Sequence, residues 1–296
     1  MKKFHTLLIA VVAITSCSKE EVINETPAVS SNSLKRIDLT ITTSGSNNVK
    51  TSSSIFTYNG NKIIAIKSGS DTQTYTYTGD LITKDTSTDT AEFSRSSEYT
   101  YESGKLKTEF EIRNNTNSQG IVTITKEKNI YTYNPDGTIL KETYKVDSTT
   151  GVETKENKET VYTYANGNLV KSVNKYFFTS TANDNNGNPV TTNSESRSIE
   201  IYEYDNKKNP FINILGFKQF SIGESIASAN NAIKTITKYE TFTNNVLNPN
   251  SINDNVRENA FKYNLNDYPA EQTNVSTNSI NNVISINTAV GIYIYE

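Results

Sequence analysis

The chain has 296 residues, with 29 basic and 32 acidic side chains, one histidine, one cysteine and no tryptophan. His5 and Cys17 both lie near the N-terminus, so the rest of the chain holds no imidazole and no thiol. That excludes His- or Cys-based nucleophiles, zinc sites built from those ligands, and disulfides. No basic stripe runs along the chain, which argues against nucleic acid as a partner. Carboxylate pairs, lysine and tyrosine are the candidate chemistry left. Hydrophobic residues make up only 34%, but 18 tyrosines and 11 phenylalanines offset this with large area per side chain. The length fits one large β domain or two small ones.

At the N-terminus Lys2-Lys3 is a positive region, Leu7 to Ile14 a short apolar run, and Thr15-Ser16-Cys17 follows. The run is too short for a permanent membrane helix and reads as a signal segment. Ile14, Ser16 and Cys17 resemble the lipobox of bacterial lipoproteins, with isoleucine where that pattern usually has leucine. The resemblance implies cleavage before Cys17, diacylation of its sulfur and acylation of the new amine. Two or more acyl chains anchor a protein stably where one is marginal. Lys2 and Lys3 then leave with the signal, so the 29 basic residues become 27 against 32 acidic. Ser18-Lys19-Glu20-Glu21 resembles the export tag of Bacteroidota surface lipoproteins; a plain charged tether is the alternative reading of those residues. The expected organisation is a signal peptide over 1–16, a flexible tether over 17–33 and a single β domain over 34–296.

Along that domain the period is two. Ile37, Leu39 and Ile41 alternate with polar residues, so a first strand with one buried face is expected. Phe56-Thr-Tyr58 leads into a turn at Asn59-Gly60-Asn61, and Tyr75-Thr-Tyr77 into one at Gly79-Asp80. Asp85 to Ser97 is polar apart from Ala91 and Phe93 and reads as a loop crossing. Leu106, Thr108, Phe110 and Ile112 read as one face of a strand, with Glu109 and Glu111 on the solvated face beside Glu142, Asp147, Glu153, Glu156 and Glu159. Tyr131-Thr-Tyr133 precedes Pro135-Asp136-Gly137, in which proline presets φ and glycine accepts φ > 0. Tyr162-Thr-Tyr164 precedes Asn166-Gly167-Asn168. Asn183 to Pro189 reads as an Asx/Gly turn; its faint likeness to a calcium loop lacks the bidentate acid at the right spacing. Near 209–230 the period changes: apolar residues at 211, 212, 214, 215 and 217 predict a short helical or loop insertion that plugs one end of the sheet.

The unit Tyr-x-Tyr, turn, Gly-x-Leu recurs unevenly, which predicts a meander of hairpins rather than a solenoid with fixed rungs. It resembles the tyrosine-aspartate (RHS-type) repeat of bacterial surface proteins, although the aspartate after the second tyrosine appears only as Asp205. Taken with the lipobox and with Tyr204-Asp205-Asn206 and Asn209-Pro210-Phe211, the chain resembles uncharacterised Bacteroidota lipoproteins described as porin-like. That resemblance implies a many-stranded antiparallel barrel with no assigned activity. The residues opposite the tyrosines (Thr76, Thr100, Thr132, Thr163, Glu203, Lys262) do not form the lipid-facing apolar band of a membrane pore. The expectation is therefore an all-β meander of about fourteen strands, closed or rolled into a water-soluble barrel with an apolar interior; an open sheet is the runner-up.

The functional expectation is a lipid-anchored outer-membrane lipoprotein, facing the cell exterior, that serves as a binding module for a glycan or a surface protein. No catalytic residue, metal or cofactor is assigned. The alternatives are a structural envelope protein with no small ligand and a carboxylate-based glycan-active enzyme. Cys17→Ala is expected to abolish incorporation of labelled palmitate and to release the domain from the membrane fraction. A variant that still incorporates label would overturn the assignment of Cys17 as the lipidation site.

Overall fold

The computed structural model describes residues 33–43, 49–90, 93–249, 253–280 and 283–296. The segment carrying Cys17, Ser18, Lys19, Glu20 and Glu21 lies outside them. The described chain is almost entirely strand: β1 (Leu34–Thr43), β2 (Val49–Asn59), β3 (Lys62–Ser68), β4 (Asp71–Thr78), β5 (Leu81–Thr90) and β6 (Phe93–Glu102) come first. β7 (Lys105–Thr116), β8 (Val122–Tyr133), β9 (Ile139–Val146), β10 (Glu153–Ala165), β11 (Asn168–Asn183) and β12 (Pro189–Tyr204) follow. β13 (Ala232–Thr243), β14 (Val246–Leu247), β15 (Asn253–Tyr263), β16 (Pro269–Ile280) and β17 (Val283–Tyr295) complete the sheet.

Successive strands pair antiparallel, and β17 returns to β1, with Tyr293 opposite Ile37 and Gly291 opposite Leu39. The sheet is closed. Among the described residues β14 pairs with the end of β13, which also pairs directly with β15, so the wall is a barrel of 16 staves with β14 as a short side rung. Pairing of β17 with β1 joins the two margins of the meander, which decides against the open sheet.

Each Tyr-x-Tyr pair ends a strand at one rim, both rings pointing inward as the pleat requires. Asn166 and Gly167 both take positive φ (52° and 81°), the two-residue turn that matches strand twist. Just past most of these turns the register slips by one residue, as between Thr57/Tyr58, Thr76/Tyr77, Thr100/Tyr101 and Thr163/Tyr164. The slip is a β-bulge, and it reverses the facing of everything beyond it. Leu106 thus faces inward at 1% exposure, Lys107 is the extra residue, and Glu109 and Glu111 also face inward at 0% and 2%. This corrects the single face expected for Leu106, Phe110 and Ile112. The Pro135-Asp136-Gly137 hairpin has no slip: Tyr133 faces Ile139 and Tyr131 faces Lys141. Asp85 to Ser97 is a second correction, since it spans β5 and β6 rather than a loop. Polar residues fill both faces of that hairpin because Asp85 and Arg95 point into the barrel, so no apolar alternation marks it.

The expected insertion joins β12 to β13 and folds into the tight-turn end of the barrel. It includes a single helical turn, α1 (Phe217–Phe220), and a 3₁₀ turn at Ser225–Ala227. Phe211 and Phe217 stack at 5.4 Å, and Phe220 meets Tyr99 and Tyr75 edge-on at 4.9 and 5.8 Å. Phe56 meets Phe211 at 5.8 Å. Phe56, Tyr75, Tyr99, Tyr131, Tyr162 and Tyr293 therefore form one buried layer with the plug. The second tyrosines tie that layer down. Tyr101 donates to the Ile82 carbonyl (2.6 Å), Tyr204 to that of Leu169 (2.7 Å) and Tyr295 to that of Pro269 (2.8 Å). Tyr77 donates to Leu215 in the plug (3.1 Å), and the Gly223 amide donates to Tyr164 (2.9 Å). Gly223, at φ 86°, lies so close to Tyr162 that a Cβ there would sit 2.4 Å from the ring.

The outer wall mixes polar pairs with exposed apolar side chains such as Ile64, Ile124, Phe177 and Ile292. Ion pairs cross between neighbouring staves at Lys84–Glu98 (2.9 Å), Lys128–Glu153 (2.7 Å), Lys175–Glu159 (2.7 Å) and Lys262–Glu271 (3.1 Å). Hydroxyls pair at Thr74–Thr86 and Thr100–Thr108, both at 2.6 Å. Exposed pairs of this kind contribute about 0–1 kcal/mol each, so they favour hydration more than stability. They interrupt the outward apolar band that a membrane-spanning barrel needs.

Burial pushes the phenols of Tyr75, Tyr99 and Tyr131 well above their ordinary pKa, and that of Tyr77 to about 12. In the unfolded chain these phenols ionise near pH ~10 while the folded barrel keeps its protons. The unfolded state then holds fewer protons, so stability falls as pH rises above that value and is fully present below it. Absorbance titration of phenolate is expected to show most tyrosines ionising together with the loss of β-sheet circular dichroism. Independent ionisation near pH ~10 with the sheet intact would contradict the buried belt.

Candidate functional site

Beyond the aromatic layer the inward positions turn polar and the barrel keeps a cavity of about 850 Å³. Small-molecule sites span roughly 300–1,000 Å³. Its floor is the plug, through Pro210, Phe211, Gly223, Glu224 and Ile226. Its wall includes Arg113, Glu127, Asn129, Lys158, Thr160, Asn174, Glu200, Asn255, Arg257, Asn259 and Gln272. An interior expected to be apolar is thus apolar only at the plugged end.

On β5 to β8 the inward polar groups meet one another. Asp85 accepts from Arg95 Nη2 (2.6 Å), Gln73 Nε2 (2.9 Å) and the Tyr99 hydroxyl. Arg95 Nη1 reaches Glu111 at 3.4 Å, and Glu111 also pairs with Arg113. Arg113 lies 3.8 Å from Glu127, which is 3.7 Å from Lys158. Glu109 accepts from Asn129 Nδ2 and from the Tyr131 hydroxyl, both at 3.0 Å. Burial works against the Arg95 charge, but Asp85, Tyr99 and Glu111 outweigh it and hold its pKa above the ordinary value. Burial, and then the nearby Glu109, raise that of Tyr131.

The acids expected on a solvated face therefore divide. Glu142, Glu153 and Glu159 stand outside in ion pairs with Lys155, Lys128 and Lys175. Glu109 and Glu111 stand inside, because the bulge at Lys107 reverses their facing. A register slip at a two-residue turn was the only available signal, and side-chain pattern does not carry it. The Asn183 to Pro189 turn uses its carboxylate internally: Asp184 Oδ1 accepts from the amides of Asn186 (2.8 Å) and Asn188 (2.9 Å). Among the described residues no group of three His, Cys, Asp or Glu side chains is placed to hold a metal ion. Two tyrosines outside the repeats went unremarked in the sequence. Tyr176 and Tyr239 face inward on β11 and β13 yet remain 45% exposed.

No family model matches the chain, and no curated protein matches it. Among solved structures it is similar to a porin-like protein from Bacteroides uniformis, at 12% identity and a TM-score of 0.44, over 89% of this chain and 96% of that one. It is also similar to a protein of unknown function from Bacteroides fragilis, at 16% identity and a TM-score of 0.25, over 49% of this chain and 79% of that one.

Removing one partner from a buried ion network leaves a charge uncompensated, at a cost of about 3–5 kcal/mol. Arg95→Met is expected to lower stability by that amount in urea denaturation. Lys84→Ala, which breaks an outer-wall pair, is expected to cost less than ~1 kcal/mol. Equal effects would mean that the internal network is solvated.

Proposed function

We propose that the protein is a lipid-anchored outer-membrane lipoprotein, facing the cell exterior, that binds a small hydrophilic ligand in the lumen of its barrel. The observation that carries this reading is the plug. Phe211, Phe217 and Phe220 are buried across the tight-turn end, while the space above them is lined by polar side chains. A barrel stopped at one end and hydrophilic inside is a cup rather than a conduit. The ion pairs along its outer wall fit a domain standing in water on a tether, and the lipobox-like cysteine supplies the anchor.

Chain direction adds an orientation. β1 starts at the plugged rim, where the Glu296 amide donates to the Ser33 carbonyl at 3.1 Å and Lys35 pairs with Glu296 at 2.7 Å. A tether over residues 17–33 reaches the barrel at this rim, so the anchor draws the plugged end toward the lipid. The mouth of the cup then points away from the membrane. We assign no enzymatic activity: Asp85, Glu111 and Glu127 each lie against a basic side chain, which supports a structural role for these carboxylates.

Protease shaving of intact cells is expected to cut the wild-type domain, while a variant with Lys19, Glu20 and Glu21 changed to alanine is expected to be protected. Protection of both would place the domain in the periplasm and overturn the exterior orientation.

A further inference from the structure

Most charged groups on the lumen wall are already engaged. Arg113, Glu127 and Lys158 run in a chain at 3.8 and 3.7 Å, and Glu159 is held by Lys175 at 2.7 Å. Lys141 and Glu224, also on the cavity, interact with other residues of the chain. Two charged groups stand apart. Arg257 on β15 is exposed toward the cavity, with no ion pair or hydrogen bond among the described residues. Glu200 on β12 lines the same cavity and accepts from the Tyr202 hydroxyl at 2.9 Å, but meets no basic side chain among the described residues. An uncompensated cation and an uncompensated anion thus share one space.

The strand register says how far apart they are rooted. Glu200 stands opposite Thr237 of β13, and Thr237 stands opposite Asn255 of β15. Arg257 lies two residues nearer the plugged rim than Asn255. With strands ~4.8 Å apart and ~3.4 Å per residue, the two Cα atoms are roughly 12 Å apart. Between them β13 places Thr235 and Thr237 on the inner face, and these neutralise neither charge. An arginine fork takes a carboxylate bidentately, and an ionised carboxylate accepts the N–H bonds of an ammonium. A ligand carrying both groups satisfies both side chains, whereas a simple anion drawn to Arg257 is opposed by Glu200. An extended di- or tripeptide spans roughly 7–10 Å, which suits charged side chains rooted at that separation. Toward the mouth, the inward rings of Tyr176 and Tyr239 keep 45% of their surface exposed. They offer flat ground for a peptide's side chains.

Resting on the lumen-binding reading above, we propose that the cup binds a di- or tripeptide with free termini, its carboxylate on Arg257 and its ammonium on Glu200. The peptide's C-terminus then lies toward the plug and its N-terminus toward the mouth. Isothermal titration of the full-length protein in detergent would use dialanine, trialanine, Ala-Phe-Ala and Ala-Asn-Ala, each also in N-acetylated and C-amidated form. Saturable binding of at least one free peptide is expected, weakened roughly tenfold by either block. Arg257→Gln is expected to weaken the free peptide by a similar factor, to add no further loss for the C-amidated form, and to leave the thermal midpoint unchanged. Glu200→Gln is expected to do the same to the free peptide and to spare the N-acetylated form. Peptide binding that neither substitution weakens would overturn the assigned site. Binding confined to maltotriose, phosphoethanolamine or inorganic phosphate would overturn the peptide class and leave the lumen as a binding site. No binding of any of these would overturn both.

Discussion

A barrel of 16 staves is too wide for its own wall side chains to fill. About eight strands give an interior that side chains can occupy, whereas 16 or more leave an aqueous channel unless something is inserted. The rest of the structure answers that constraint in three ways along the barrel axis. At the tight-turn end the chain folds an apolar segment between β12 and β13 into the hole. In the middle, aromatic rings from nearly every hairpin reach inward to meet it. Toward the other end the wall turns polar, and the space is left to solvent or ligand.

The middle layer explains why tyrosine is used where leucine would bury as well. A Tyr ring covers the same apolar ground as phenylalanine and carries a hydroxyl that must find a partner when buried. Here that hydroxyl finds a neighbouring hairpin's carbonyl or the plug backbone. One residue type thus serves both burial and register between hairpins. The bulge beside most of these turns matters as much. It aims the first apolar residue of the returning strand at the belt, then turns the next residues so that polar side chains face the lumen. Asp85 and Glu109 stand inside because of it.

Much of this was legible in the sequence. Tyr-x-Tyr with a glycine turn marked the hairpins, because a period of two and a positive-φ turn are local properties. The shift to closely spaced apolar residues at 211–217 marked the plug for the same reason. Three features were not legible. Closure depends on β1 meeting β17, a pairing between ends that no local pattern encodes. The β5–β6 hairpin has hydrophilic residues on both faces, so it resembled a loop. Glu109 and Glu111 obey ordinary alternation until the bulge at Lys107, whose position is set by turn geometry. Tyr176 and Tyr239 carried only the signal of standing outside the repeats, which gains meaning once the inner face is known.

The β1–β17 seam also shapes how the ring comes into being. Hairpins need only short loops to close and form early, whereas the seam joins Ile37 to Tyr293 and must wait for nearly the whole described chain. Loop-closure entropy makes such distant pairings slow. Until the seam forms, the molecule is a curled ribbon with two unsatisfied margins, each a template for the wrong neighbour. Sealing the last stave against the first is therefore the kinetically vulnerable step, and the one at which a chaperone has most to offer.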